Sequence, residues 1–65
     1  SDDGLRRDVA AAIESLPAQY REVIVLRDLE ELSIGEIAAR LDTTSAAVKG
    51  RLHRGRELVR EYLLA

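Results

Sequence analysis

Apolar positions recur at three- and four-residue steps along most of this chain, the signature of helices that each bury one face. Leu5, Val9, Ala12, Ile13 and Leu16 form the first such stripe. Asp2 or Asp3 stands where it can cap the start. Pro17 ends the stripe, because the residue before a proline is pushed out of the α region. Pro17 is then expected to serve as the first residue of the next helix, where its missing N–H costs nothing. Val23-Ile24-Val25-Leu26 looks like a strand when taken alone. It lies in an Arg/Glu-laced stretch with no partner strand in the chain, and Tyr20 and Leu29 extend its apolar arc. A central helix buried on more than one side accounts for an arc that wide.

Ser33-Ile34-Gly35-Glu36 spells a capping box, and Ile34, Ile37, Ala38 and Leu41 continue behind it at helical spacing. Asp42-Thr43-Thr44 interrupts that short helix, and Thr44 is the expected cap of the next. From Ser45 a single helix can run to about Leu64, with Val48, Leu52, Val59, Tyr62 and Leu63 on its apolar side. Gly55 falls on that side too, where a missing side chain lets another helix approach closely, at roughly 1 kcal/mol of helix propensity. The pattern predicts an all-α, four-helix domain with helices at about 4–15, 17–30, 33–41 and 45–64. Residues 1–4 read as a linker remnant, and the last two helices as a C-terminal helix-turn-helix with a long recognition helix.

Composition narrows the chemistry. Sixty-five residues allow one domain and one modest core, with a net stability of roughly 3–5 kcal/mol. With no cysteine and a single histidine, His53, a zinc-stapled fold is excluded and no metal or cofactor is expected. No apolar run reaches membrane-spanning length and no signal-peptide pattern occurs, so the expected setting is cytoplasmic, with no membrane partner. Paired carboxylates, a nucleophile beside a base and a glycine-rich phosphate loop are all missing from the pattern, so neither enzyme activity nor a small-molecule substrate is expected.

The net charge of −2 hides an asymmetry. Residues 1–44 carry five arginines against ten acids, a net of −5, whereas residues 45–65 carry five cations against Glu57 and Glu61, a net of +3. Partners respond to local potential rather than to the total. At 100° per residue, Lys49, His53, Arg56 and Arg60 fall along one line of the last helix, with Gly50 and Arg54 beside them and the two acids further along. That order fits a helix that enters a groove by its N-terminal half and leaves the duplex afterwards.

Lys49 and Arg54 are long donors suited to guanine O6 and N7, Arg54 bidentately. His53 suits a base edge, the backbone or plain exposure, and Gly50 lets the helix sit close to the duplex. Arg51 points nearer the core edge, for an acid or a phosphate. Ser33, Thr43, Thr44 and Ser45 stand at helix N-termini, where hydroxyls and free N–H groups suit phosphates and serve equally as ordinary caps. Arg27 and Arg40 read as surface pairs.

Four ordered motifs then carry a resemblance: Leu16-Pro17-Ala18-Gln19-Tyr20-Arg21-Glu22-Val23, Leu26-Arg27-Asp28, Leu32-Ser33 with Glu36-Ile37-Ala38, and Val48-Lys49-Gly50-Arg51-Leu52-His53-Arg54-Gly55-Arg56. Together they resemble region 4 of extracytoplasmic-function (ECF) sigma factors over about residues 12–62. The resemblance implies that the last helix lies in the major groove of the promoter −35 element. It implies Lys49, Gly50, His53 and Arg54 at base-facing positions, and Arg51 and Arg56 at backbone-contacting or structural ones. It further implies docking on the β flap of RNA polymerase core, and capture by an anti-sigma factor. The family commonly has glycine where Glu31 and Asp42 stand, at helix ends where a positive φ is convenient, serine at Gly50 and alanine at Gly55. A role in anchoring rather than melting DNA is expected, since the two tyrosines fall at expected core positions. Two other readings compete. One is a LuxR-type response-regulator output domain, which lacks the Arg-Leu-His-Arg-Gly-Arg run. The other is a helical protein-interaction module, which leaves the charge order of the last helix unexplained.

Overall fold

The computed structural model describes residues 2–65. Helix α1 spans Asp2–Glu14, α2 Ala18–Ile24, a π-helical turn Val25–Leu29, α3 Ile34–Arg40 and α4 Ser45–Leu64. The first helix starts earlier than the pattern predicts. Asp2 and Asp3 lie inside its first turn rather than ahead of it as caps or linker, where their charge complements the N–H end of the helix. Ser1 lies outside the described residues. At the other end, Ser15 Oγ donates to the Ala12 carbonyl at 2.6 Å and Arg21 donates to the Glu14 carbonyl at 3.3 Å.

Pro17 is the N-cap of α2 and not its first helical residue, with φ −54° and an extended ψ of 147°. Its carbonyl accepts the first helical N–H bonds, from Tyr20 and Arg21. A proline fits there for the same reason it fits one position later, because no donor is needed at either. The central helix is not α-helical throughout. The Glu30 N–H bonds to the Val25 carbonyl and the Leu32 N–H to the Leu26 carbonyl, both 3.0 Å, so the last turn is wider than an α turn.

Both helix ends that close with a left-handed residue do so without glycine. Glu31 has φ 60° and Asp42 φ 52°, the two positions singled out by the family's glycines. At Asp42 the closure is a Schellman motif: Thr43 N–H bonds to Ala38 O at 2.9 Å and Asp42 N–H to Ala39 O at 3.4 Å. The turn leads into α4, whose cap Thr44 accepts from Ala47 N–H at 3.0 Å. The capping box of α3 is complete, with Glu36 N–H on Ser33 Oγ at 3.1 Å and Ser33 N–H on Glu36 Oε1 at 2.9 Å.

Leu16, Val23, Ile24, Leu26, Ile37, Ala38, Val48 and Leu52 form one core, with Val23, Ile37 and Val48 fully enclosed. Helix α4 is its spine and packs against each of the other three helices. Gly55 sits where α2 crosses it: a Cβ there would lie 2.8 Å from Ile24 Cδ1 and 3.4 Å from Tyr20 Cβ. Four residues assigned to apolar stripes are instead exposed, and Leu64 at the end of α4 joins them. Leu5 and Leu29 are 60% and 67% exposed, and Tyr62, Leu63 and Leu64 also face solvent. Length explains the last three. Twenty helical residues reach about 30 Å, and residues 60–65 are all exposed, so the final turns of α4 extend beyond their neighbours. Leu29 is carried outward on the wide turn.

Candidate nucleic-acid interface

Of the residues predicted to meet DNA, Lys49, His53 and Arg56 come together at one cleft, which Gly50, Arg54, Arg51, Ser33, Thr43, Thr44 and Ser45 do not line. Lys49, His53, Arg56 and Arg60 line an open cleft of about 370 Å³ with Arg27, Ile34, Leu52 and Glu57. The linear order read from the sequence thus becomes one basic surface, and Arg27 joins it from the central helix. The residue pattern alone predicts a surface pair for Arg27 in preference to a DNA-backbone contact. Its guanidinium in fact donates to the Leu32 carbonyl at 2.8 Å, tying down the left-handed turn ahead of α3. Nothing in local spacing places it near Lys49, because the two meet only through packing of α4 on the central helix. Arg40 does make a surface pair, with Glu30 at 3.9 Å.

Gly50 is exposed, and a Cβ built on it would meet nothing within 4 Å. Its value is therefore open approach to the helix backbone, not relief of internal crowding. His53 is the most exposed of the paired side chains, at 81%. Arg54 is held back along the helix by two acids, with NH1 3.5 Å from Glu57 and 3.8 Å from Glu61. Arg51 is half-buried, and none of the ion pairs among the described residues involves it.

Arg56 is engaged more firmly than sequence suggested. Its NH2 lies 2.8 Å from Asp28 Oδ1, a charge-assisted bond between α4 and the wide turn. The partners are 28 residues apart, so no helical spacing rule could have paired them. Arg56 also borders a second hollow, an apolar one lined by Val9, Ile13, Ile24, Asp28, Leu29 and Val59. Next to it lies a further apolar hollow of about 420 Å³ formed by Leu5, Arg6, Val9, Ala10, Ile13 and Leu29. A single guanidinium therefore separates a basic face from an apolar one.

Ser33 and Thr44 each accept the cap bond of their helix, and the Ser33 hydroxyl also engages the Glu36 carboxylate. Thr43 is half-buried in the turn and Ser45 is exposed at the first residue of α4. Electrostatics along α3 are local. Glu36 is held below the usual glutamate range, chiefly by the Ser33 backbone N–H, then by the Ser33 hydroxyl, with Arg40 adding to the effect against a small desolvation.

A short capped helix, a left-handed turn and a long helix with a basic outer face define a helix-turn-helix DNA-binding domain. The particular family follows from comparison with known sequences: residues 6–59 match the family described as "Sigma-70, region 4", and the chain belongs to it. The chain is 45% identical over 62 residues to the ECF RNA polymerase sigma factor SigE of Mycolicibacterium smegmatis, covering 95% of this chain and 24% of that protein. It is 44% identical over 59 residues to the ECF RNA polymerase sigma factor SigW of Bacillus subtilis (91% and 32%). The match to the ECF RNA polymerase sigma-E factor of Escherichia coli is 46% over 55 residues (85% and 29%). The chain thus spans under a third of the length of these relatives. No helix among the described residues is long and apolar enough to cross a membrane.

Proposed function

We propose that this chain is the −35-reading domain of an ECF sigma factor, which directs RNA polymerase to promoters in the bacterial cytoplasm by laying the first half of α4 in the major groove. The observation that carries this reading is the row Lys49, His53, Arg56 and Arg60 on the one face of α4 that the core leaves free. Lys49, Gly50, His53 and Arg54 face base edges, with the two cationic side chains suited to guanine acceptors. Ser33, Thr43, Thr44, Ser45, Arg51 and Arg56 hold the flanking phosphates and set the register of α4 on the duplex. The role is one of binding and placement, without catalysis.

The apolar hollows beside α1 support a second contact on the same domain. Leu5, Val9, Ile13 and Leu29 leave an uncovered surface suited to an apolar segment of a protein partner. In this reading the β flap of the polymerase core occupies it, and an anti-sigma factor competes for the domain.

The test is a heteronuclear NMR titration of the chain at low salt with a duplex carrying a GGAAC-like motif and with a scrambled duplex. Larger shifts for the motif, concentrated in residues 43–56, are expected. Equal shifts for both duplexes reduce the domain to a nonspecific binder, and no shifts at all with a folded spectrum favour a protein-interaction module. With about four to six phosphate contacts, log affinity should fall with log salt at a slope of roughly −4 to −5.

A further inference from the structure

The acids at the far end of the reading face do not merely mark where α4 leaves the duplex. We propose that Glu57 is a positioning residue that sets sequence specificity, by bracing two of the base-facing side chains, His53 and Arg54. The inference rests on the duplex-reading role proposed above and deepens it.

Glu57 divides its two oxygens between the readers. Oε1 lies 3.5 Å from Arg54 NH1, and Oε2 lies 4.0 Å from His53 Nε2. It is half-buried and forms part of the wall of the basic cleft, next to Lys49, Leu52 and Arg56. Glu61 is different. Its side chain is 66% exposed, it is placed one turn further out, and it approaches only Arg54, at 3.8 Å.

A guanidinium has five N–H donors in a rigid plane, and a bidentate contact to guanine uses two of them. The remaining donors point back along the helix, where a carboxylate can hold the plane at one angle. A side chain held in this way loses less further freedom on binding the matching base, and swinging to a phosphate forfeits the carboxylate contact. The same carboxylate repels phosphates and base acceptors of every sequence alike. Only a duplex that returns good contacts to His53 and Arg54 offsets that repulsion. Glu57 therefore weakens binding to all duplexes and weakens it most for the wrong ones.

The experiment compares the chain with its Glu57→Gln variant by fluorescence anisotropy, on the GGAAC-like duplex and the scrambled duplex at one fixed salt concentration. Gln keeps the shape and removes the charge. An exposed ion pair shifts an equilibrium by up to about fivefold, and the Arg54–Glu57 pair is of this kind. Affinity for the scrambled duplex should therefore rise roughly three- to fivefold, with the motif duplex changing by less than about twofold. A Glu61→Gln control should move both duplexes by one common factor. A common factor for Glu57→Gln as well, or an unchanged ratio, overturns the inference and leaves Glu57 a solvated charge. A Glu61→Gln variant that lowers the ratio equally overturns the assignment to Glu57. A wild-type chain with no preference for the motif defeats the duplex-reading role itself, which keeps the two failures apart.

Discussion

Replacing Gly55 tests the packing that places α4 against α2. Two terms oppose each other in Gly55→Ala. Alanine gains about 1 kcal/mol of helix propensity over glycine. Against this, the new methyl would lie 2.8 Å from Ile24 Cδ1, well inside an ordinary carbon contact of about 3.5–4.0 Å. That methyl is the far end of a rotatable side chain, so Ile24 can yield by leaving its preferred rotamer, at about 0.5–1.5 kcal/mol. The terms nearly cancel, and Gly55→Ala should change stability by no more than about 0.5 kcal/mol. Gly55→Leu has no such escape. Its branches must also pass Tyr20 Cβ, 3.4 Å from the first added carbon and anchored on the backbone. The helices must then separate, and overpacking of this kind costs about 1–3 kcal/mol or more. In a domain worth roughly 3–5 kcal/mol in total, that is a large share. Urea unfolding followed by circular dichroism would read it. With a slope near 1 kcal/mol/M for so small a chain, the leucine midpoint should fall by about 1–3 M. A leucine variant unfolding at the wild-type midpoint would refute the close approach of α2 and α4, and with it the placement of the basic face.

Three further outcomes are expected. Glu31→Gly removes a left-handed non-glycine residue costing about 1–2 kcal/mol and adds glycine's own entropy cost of about 0.5–1 kcal/mol. The net gain is at most about 1.5 kcal/mol, so a thermal melt should rise, by up to about 6–12 °C, and Asp42→Gly should gain less because aspartate tolerates that conformation better. Glu36 has a lowered pKa in the folded state, so its contribution to stability is present above the ordinary glutamate value and is lost as pH falls through the lower, folded value. Urea titrations across that acid range should show a shallower decline for Glu36→Gln than for the wild type. Asp28→Asn breaks the 2.8 Å bond to Arg56 between two roughly half-exposed side chains, which should cost less than about 1 kcal/mol of stability. It also frees a cation at the basic face, so anisotropy at low salt should show nonspecific duplex affinity rising about two- to fivefold.

Features written within a few consecutive residues were legible in the sequence. The Ser33–Glu36 capping box, the Thr44 cap and the extent of α4 are set by donors and acceptors three or four positions apart, and the structure reproduces them. The left-handed residues Glu31 and Asp42 were legible for another reason, since related chains place glycine where the backbone needs a positive φ. The close approach at Gly55 followed from finding a glycine on an apolar stripe. Features made by packing were not legible. The wide turn at 25–29 replaces a regular α turn without a proline or glycine to announce it, and it carries Leu29 outward. Tyr62 keeps helical spacing with Leu52 and Val59, yet α4 outruns the elements that could bury it. On the reading face, sequence placed Lys49, His53 and Arg56 on one line. It could not foresee that Arg56 would be tied to Asp28, nor that Arg54 would turn toward Glu57 and Glu61.

Those two engagements bear on how a chain of net charge −2 can work on a polyanion. Among the described residues, Arg27, Arg54 and Arg56 each have an internal partner that a phosphate or base must displace or share. Exposed pairs of this kind are worth little individually, so the face remains competent for DNA while its field is partly neutralised in the free domain. Long-range attraction is weak as a result, and a single small module buries too little surface for tight binding on its own. Occupancy then depends on a second contact that raises the local concentration of duplex around α4. The uncovered apolar hollows at Leu5, Val9, Ile13 and Leu29 are the surface that the proposed protein contact would occupy, and Arg56 borders one of them. On the proposed function, promoter reading by this domain is therefore expected to be strong only when its larger assembly holds it on the duplex.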